Sequence, residues 1–119
     1  RKSRGYFDEN GMHVVWLSSI KDNLVRGGKT INCSVTLEDL YKVLQEQNFK
    51  CAYTGIDLQV VDTLKGESNA SVDRIDSDKG YEIGNIQWVY KPINIMKNGL
   101  SDSDFKDLCY KVADFTRQS

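Results

Sequence analysis

A single proline, a single histidine, an odd set of three cysteines and a net charge of only −1 mark what this 119-residue sequence has little of. No apolar run exceeds a few residues, which excludes a transmembrane span and a signal-peptide core. The cysteines, Cys33, Cys51 and Cys109, are too few and too far apart for a disulfide framework, so free thiols in a cytoplasmic-type reducing compartment are expected. The near-neutral charge does not suit a stand-alone, tight nucleic-acid binder. One proline beside nine glycines, with 39% hydrophobic and 10% aromatic residues, argues against disorder. The length suits one domain with a modest core.

What charge there is lies unevenly. Residues 1–50 carry eight Lys/Arg against six Asp/Glu, and residues 51–119 carry eight against eleven. The chain begins at Arg1 rather than Met, as a piece of something longer would.

Periodicity divides the chain into four parts within one domain: an exposed arm (1–10), a helical part (11–48), a central core (49–100) and a last helix (101–119). Val14, Val15, Leu17, Ile20 and Leu24 recur at helical spacing and predict a helix over 12–25, stopped by Gly27-Gly28. A connector over 29–35, with a short strand around Ile31, leads to Thr36. With Asp39 three residues on, Thr36 forms a variant capping box for a helix over 37–47 whose stripe is Leu37, Leu40, Tyr41 and Leu44. Residues 51–55 read as a tight turn, 56–61 as a short strand and 65–69 as a polar loop. Strands are expected at 70–75 and 83–90, joined by the polar loop 76–82. Pro92 suits the first turn of a helix ended by Gly99. Ser101 with Asp104 caps a last helix over 102–115, with Phe105, Leu108, Cys109, Val112 and Phe115 as its stripe. Trp16 and Trp88 read as core, and Cys51 as a small buried hydrophobe.

Metal-assisted cleavage of a phosphodiester needs hard oxygen ligands, a base for water and something to neutralise developing charge. Asp73 offers an anionic oxygen and Asn94 a neutral one from the helix after Pro92. Mg²⁺ held by so few protein ligands keeps several waters and takes the phosphate as a further ligand.

Ser71-Val72-Asp73-Arg74-Ile75-Asp76, Gly84-Asn85-Ile86-Gln87-Trp88-Val89 and Asn94-Ile95-Met96-Lys97 together resemble the HNH endonuclease family, in a phage-associated branch. The resemblance runs from Cys51 to about Lys97. It implies an α+β fold built on a ββα-metal core, a β-hairpin and helix gripping one Mg²⁺ or Mn²⁺. Helices would precede this core, and one would follow it. It assigns Asp73 and Asn94 as metal ligands and Arg74 and Asn85 as catalytic, with Asn85 fixing the hairpin loop and orienting whatever acts next to Asp73, and it implies DNA as partner. Lys97, one turn beyond Asn94, and Lys91, at the start of the same helix, are the expected DNA contacts. The family's base is normally His, yet position 74 is Arg. Guanidinium cannot accept a proton near neutral pH, so Arg74 is expected to clamp the phosphate or stabilise transition-state charge. His13, Tyr81 and Asp76 are the candidates left for the base. Many family members also carry two Cys-x-x-Cys pairs around a structural zinc. The matching positions are Cys51, Thr54, Tyr90 and Ile93, so no structural zinc is expected.

Two functions follow from different classes. One is a divalent-metal-dependent DNA endonuclease that nicks or cuts, in the cytoplasm of a bacterial host if phage-encoded. It would be assisted by another DNA-binding domain or subunit, or by homodimerisation where both strands are cut. The other is a catalytically degenerate HNH-like module that binds DNA or a protein without cutting. The bland alternatives are a surface ion pair at Asp73–Arg74, an ordinary turn at Gly84-Asn85, and a generic solvated terminus at Arg1, Lys2 and Arg4.

Overall fold

The computed structural model describes Met12, Trp16 and residues 25–26, 29–60 and 68–117. The exposed arm, His13 and most of the helix expected over 12–25 lie outside the described residues. Trp16 is helical, but Val25 is not: β1 (Val25–Arg26) pairs antiparallel with β2 (Lys29–Thr30). The residues on either side of Gly27-Gly28 are therefore strand, not helix.

Helix α1 (Leu37–Glu46) starts where its cap demands. The Thr36 hydroxyl accepts from the Asp39 N–H at 3.1 Å, and the Asp39 carboxylate accepts from the Thr36 N–H at 2.9 Å. Leu40 and Leu44 are buried, with Leu37 and Tyr41 packed partly against the same core. Past the helix, Asn48 and Phe49 both take positive φ, 56° and 58°, which turns the chain back sharply. Gln47 secures this turn. Its amide nitrogen donates to the carbonyls of Lys50 and Trp88, and its amide oxygen accepts from the Trp88 N–H. One side chain thus ties the end of α1 to the middle of a strand 41 residues later.

That strand is β4 (Ile86–Tyr90), antiparallel to β3 (Ala70–Arg74) in a register that sets Asp73 opposite Gln87 and Arg74 opposite Ile86. The strand expected over 56–61 does not form as a ladder. Among the described residues only an isolated Lys50–Asp57 bridge is present there, while Leu58 and Val60 bury their side chains. The strand expected from 83 begins at Ile86 because Gly84 has φ 90° and Asn85 is used by the loop. Helix α2 (Lys91–Lys97) follows β4 directly, with Pro92 in its first turn, Asn98 as a left-handed C-cap at φ 37°, and Gly99 beyond it. Helix α3 (Asp102–Arg117) begins at the Ser101 cap.

The result is α+β: a helix ahead of a β-hairpin, a helix packed against that hairpin, and a C-terminal helix. Trp88 is the centre of the core, fully buried. It meets Trp16 edge to face at 4.9 Å and donates its indole N–H to the Leu40 carbonyl at 2.9 Å. The α3 stripe differs from expectation. Phe105 is 3% exposed, but Leu108, Val112 and Phe115 are 52%, 58% and 74% exposed. The first turn of α3 is anchored by Phe105 against Tyr53 at 5.1 Å and by the Tyr53 hydroxyl donating to Asp102 at 2.5 Å. Among the described residues no helix is long and apolar enough to cross a membrane.

Candidate functional site

Short hairpin loops leave backbone groups without ladder partners, and a side-chain amide can satisfy them. Asn85 does so for the loop between β3 and β4. Its amide oxygen accepts from the Asp76 N–H at 2.8 Å, and its nitrogen donates to the carbonyls of Asp76 and Gly80 at 3.1 and 2.8 Å. The side chain is buried, and both ends of the amide are taken by the loop backbone. Asn85 is therefore placed to hold the loop, and it does not line the cavity described below. The loop is also strapped to the segment after β2. The Tyr81 N–H donates to the Asn32 carbonyl at 2.8 Å, and the Ser34 N–H donates to the Tyr81 carbonyl at 2.9 Å. Gly80 is required at this crossing, because a Cβ there would collide with the Asn32 carbonyl.

Neighbouring residues on a strand point to opposite faces, so Asp73 and Arg74 need a distortion or a strand end to share a site. β3 ends at Arg74, and both residues line one cavity of about 410 Å³ with Ser77, Tyr81, Asn94 and Gly99 among its other walls. Arg74 reaches round the loop. One terminal nitrogen donates to the carbonyls of Ser77 and Lys79 at 2.8 and 3.0 Å, and the guanidinium carbon sits 5.5 Å from the Tyr81 ring centroid. The rest of the guanidinium has no hydrogen-bond partner among the described residues.

Asp73 is 7% exposed and fully compensated. The Lys97 ammonium donates to its two carboxylate oxygens at 3.2 and 2.9 Å and to the Arg74 carbonyl at 2.7 Å. Gln87, the cross-strand partner of Asp73, adds a third bond to the carboxylate at 2.9 Å. Lys97 is 2% exposed, so its expected place at a phosphate is not where the structure puts it. The reason is helical spacing. Three residues beyond Asn94 on α2, Lys97 shares the helix face that packs on β3. Asn94 donates its amide nitrogen to the Ser71 hydroxyl at 2.7 Å, and its amide oxygen has no partner among the described residues. Lys91 is exposed at the start of α2, outside the cavity lining.

Of the candidate bases, Tyr81 lines the cavity. The Asp76 carboxylate instead accepts from the Asp78 N–H at 2.9 Å, a turn-forming contact. Ser77 and Gln87 were not singled out by sequence. Gln87 could have been found, since the hairpin register fixes the residue opposite Asp73.

Of the four positions compared with a zinc site, Thr54 and Tyr90 both hydrogen-bond Cys51. The Tyr90 N–H donates to the Cys51 sulfur at 3.2 Å, and the Ala52 N–H donates to the Trp88 carbonyl at 3.0 Å. Burial pushes the Cys51 thiol pKa up. Hydrogen bonds from the Thr54 side chain and from backbone N–H groups outweigh it, and the net shift is downward. Burial also raises the Tyr53 pKa, reinforced by its hydrogen bond to Asp102, while that bond lowers Asp102.

Chemically, one carboxylate and one unengaged amide oxygen on a polar cavity suit a hard cation. Among the described residues no three or more His, Cys, Asp or Glu side chains cluster to hold a metal. A divalent ion would therefore depend on water and substrate oxygens for most of its shell. The donor types fit; the charge already paired with Asp73 is the constraint. No protein-family model matches this chain, and no curated protein matches it either.

Proposed function

We propose that this protein is a divalent-metal-dependent DNA endonuclease of the HNH-like ββα type, hydrolysing phosphodiester bonds. The observation that carries the reading is one polar cavity, lined from β3 by Asp73 and Arg74 and from α2 by Asn94. Asp73 and Asn94 would hold Mg²⁺ or Mn²⁺, which supplies Lewis-acid activation of the phosphate and of water. Arg74 uses its uncommitted N–H groups to neutralise charge on the phosphate, the role a permanent cation can fill and a base cannot. Asn85 and the Asn32–Ser34 strap keep the loop carbonyls in place, so that the guanidinium stays over the cavity. With a net charge of −1, strong DNA affinity requires a further domain, subunit or second copy. A phage or mobile-element protein acting in a reducing cytoplasm fits the three free thiols.

Plasmid nicking with Mg²⁺ or Mn²⁺ tests this directly. Asp73→Ala and Asn94→Ala are each expected to lose at least about a hundredfold in rate, the scale of removing transition-state charge stabilisation. Equal cleavage by wild type and both variants would sink the metal-ligand assignment.

A second reading has its own support. Arg74 spends part of its guanidinium on loop carbonyls, and Asp73 is already paired with Lys97, as a degenerate DNA- or protein-binding module would allow. Arg74→His separates the two. Gain of nicking activity would mark a decayed base position, and loss would mark a positive role for Arg74.

A further inference from the structure

We infer that Lys97 is an internal counter-cation that competes with a divalent metal for Asp73, so that the site takes up metal only as Lys97 is released. The inference rests on the metal-dependent reading above and adds a constraint to it. Asp73 lines the cavity, whereas Lys97 does not. The ammonium lies 2.9 Å from one carboxylate oxygen and 3.2 Å from the other, with its remaining contact the Arg74 carbonyl at 2.7 Å. A divalent ion bound at the usual distance of about 2 Å from the same carboxylate would sit within about 5 Å of that ammonium. Three positive charges would then share one negative charge in a poorly solvated pocket, where their repulsion is screened far less than in water.

The pair is also more than packing requires. Burying two ions carries a large desolvation cost, and apolar residues of the same size are often as stable. Lys97 is nevertheless suited to leaving. It is the last residue of α2, followed by left-handed Asn98 and by Gly99, which both line the cavity, and its side chain is long and unbranched. The free amide oxygen of Asn94 adds a donor but no negative charge, so Asp73 alone sets the charge balance.

The test is Mn²⁺ binding, followed by calorimetry without DNA, for wild type, Lys97→Met and the double variant Asp73→Asn/Lys97→Met. Lys97→Met is expected to bind Mn²⁺ at least about tenfold tighter than wild type, and the double variant to lose that gain. Equal affinity in wild type and Lys97→Met, abolished in the double variant, would overturn the competition while leaving Asp73 as a metal ligand. No Mn²⁺ binding by any of the three at millimolar concentration would overturn both readings. A second measurement needs no variant. In wild type, the side-chain ammonium of Lys97 should give a protected ¹H–¹⁵N signal that is lost at saturating Mg²⁺; persistence of that signal would also overturn the proposal.

Discussion

The hairpin with α2 and the C-terminal helix α3 treat side chains in opposite ways. In the first unit, polar residues are buried and satisfied: Asp73, Asn85 and Lys97 lie inside, each with several partners. In α3 the apolar residues Leu108, Val112 and Phe115 lie outside. Sequence periodicity assigns an apolar stripe to α3 and none to α2, yet in α2 Ile95 and Met96 are exposed while Lys97 is buried. Hydrophobic periodicity reports which face of a helix could be buried, not whether a partner surface exists. Buried polar groups report something stronger, because each must find its hydrogen bonds or lose several kcal/mol.

This contrast can be broken by mutation. The largest effect is expected at Trp88. Trp88→Ala should cost about 3–5 kcal/mol, read from the urea midpoint, since it empties the centre of the core and removes the indole bond to the Leu40 carbonyl. Next comes Asn85→Ala, about 2–3 kcal/mol for three hydrogen bonds lost inside the loop. If that variant were as stable as wild type, the loop would not depend on the buried amide.

A smaller effect is expected where the two regions join. Tyr53→Phe removes the tie to Asp102 and should cost about 1 kcal/mol near neutral pH. Its pH dependence has two arms. The raised Tyr53 pKa means that its contribution is complete below the ordinary value of 10.0 and is lost as pH rises beyond it. The lowered Asp102 pKa means a contribution complete above the ordinary 3.8 and lost as pH falls through the folded-state value. Urea midpoints of wild type should therefore fall toward those of Tyr53→Phe at both extremes; a constant gap across pH would refute the tie. The smallest effect is expected on the exposed face of α3. Leu108→Ser and Phe115→Ser should each stay within about 0.5 kcal/mol. A loss of several kcal/mol from either would show that this face is covered.

Much of the frame was legible from sequence. The capping box at Thr36 and Asp39 set the start of α1, Pro92 and Gly99 bracketed α2, and Ser101 opened α3, because caps are local chemistry with local signals. The end of the helix expected over 12–25 misled, since Val25 belongs to a short strand and Gly27-Gly28 is a turn signal for a hairpin as much as for a helix end. Residues 56–61 misled for a related reason: Leu58 and Val60 are buried, but among the described residues only an isolated bridge pairs this segment, not a ladder.

At the site, the resemblance to HNH motifs singled out Asp73, Arg74, Asn85 and Asn94, because those motifs span only a short stretch of chain. It also singled out Lys97, but with the wrong neighbour. Which charge meets which is decided over distances the chain does not encode locally: Lys97 reaches Asp73 across 24 residues, and Gln87 reaches it across 14. The sequence by itself determined the elements, their caps and the residue types available. Only the tertiary structure decided that Arg74 is partly committed to the loop and that Asp73 already holds a cation. Electrostatic pairing in a desolvated interior depends on a few ångströms of approach, and that approach exists only once the hairpin and α2 have packed.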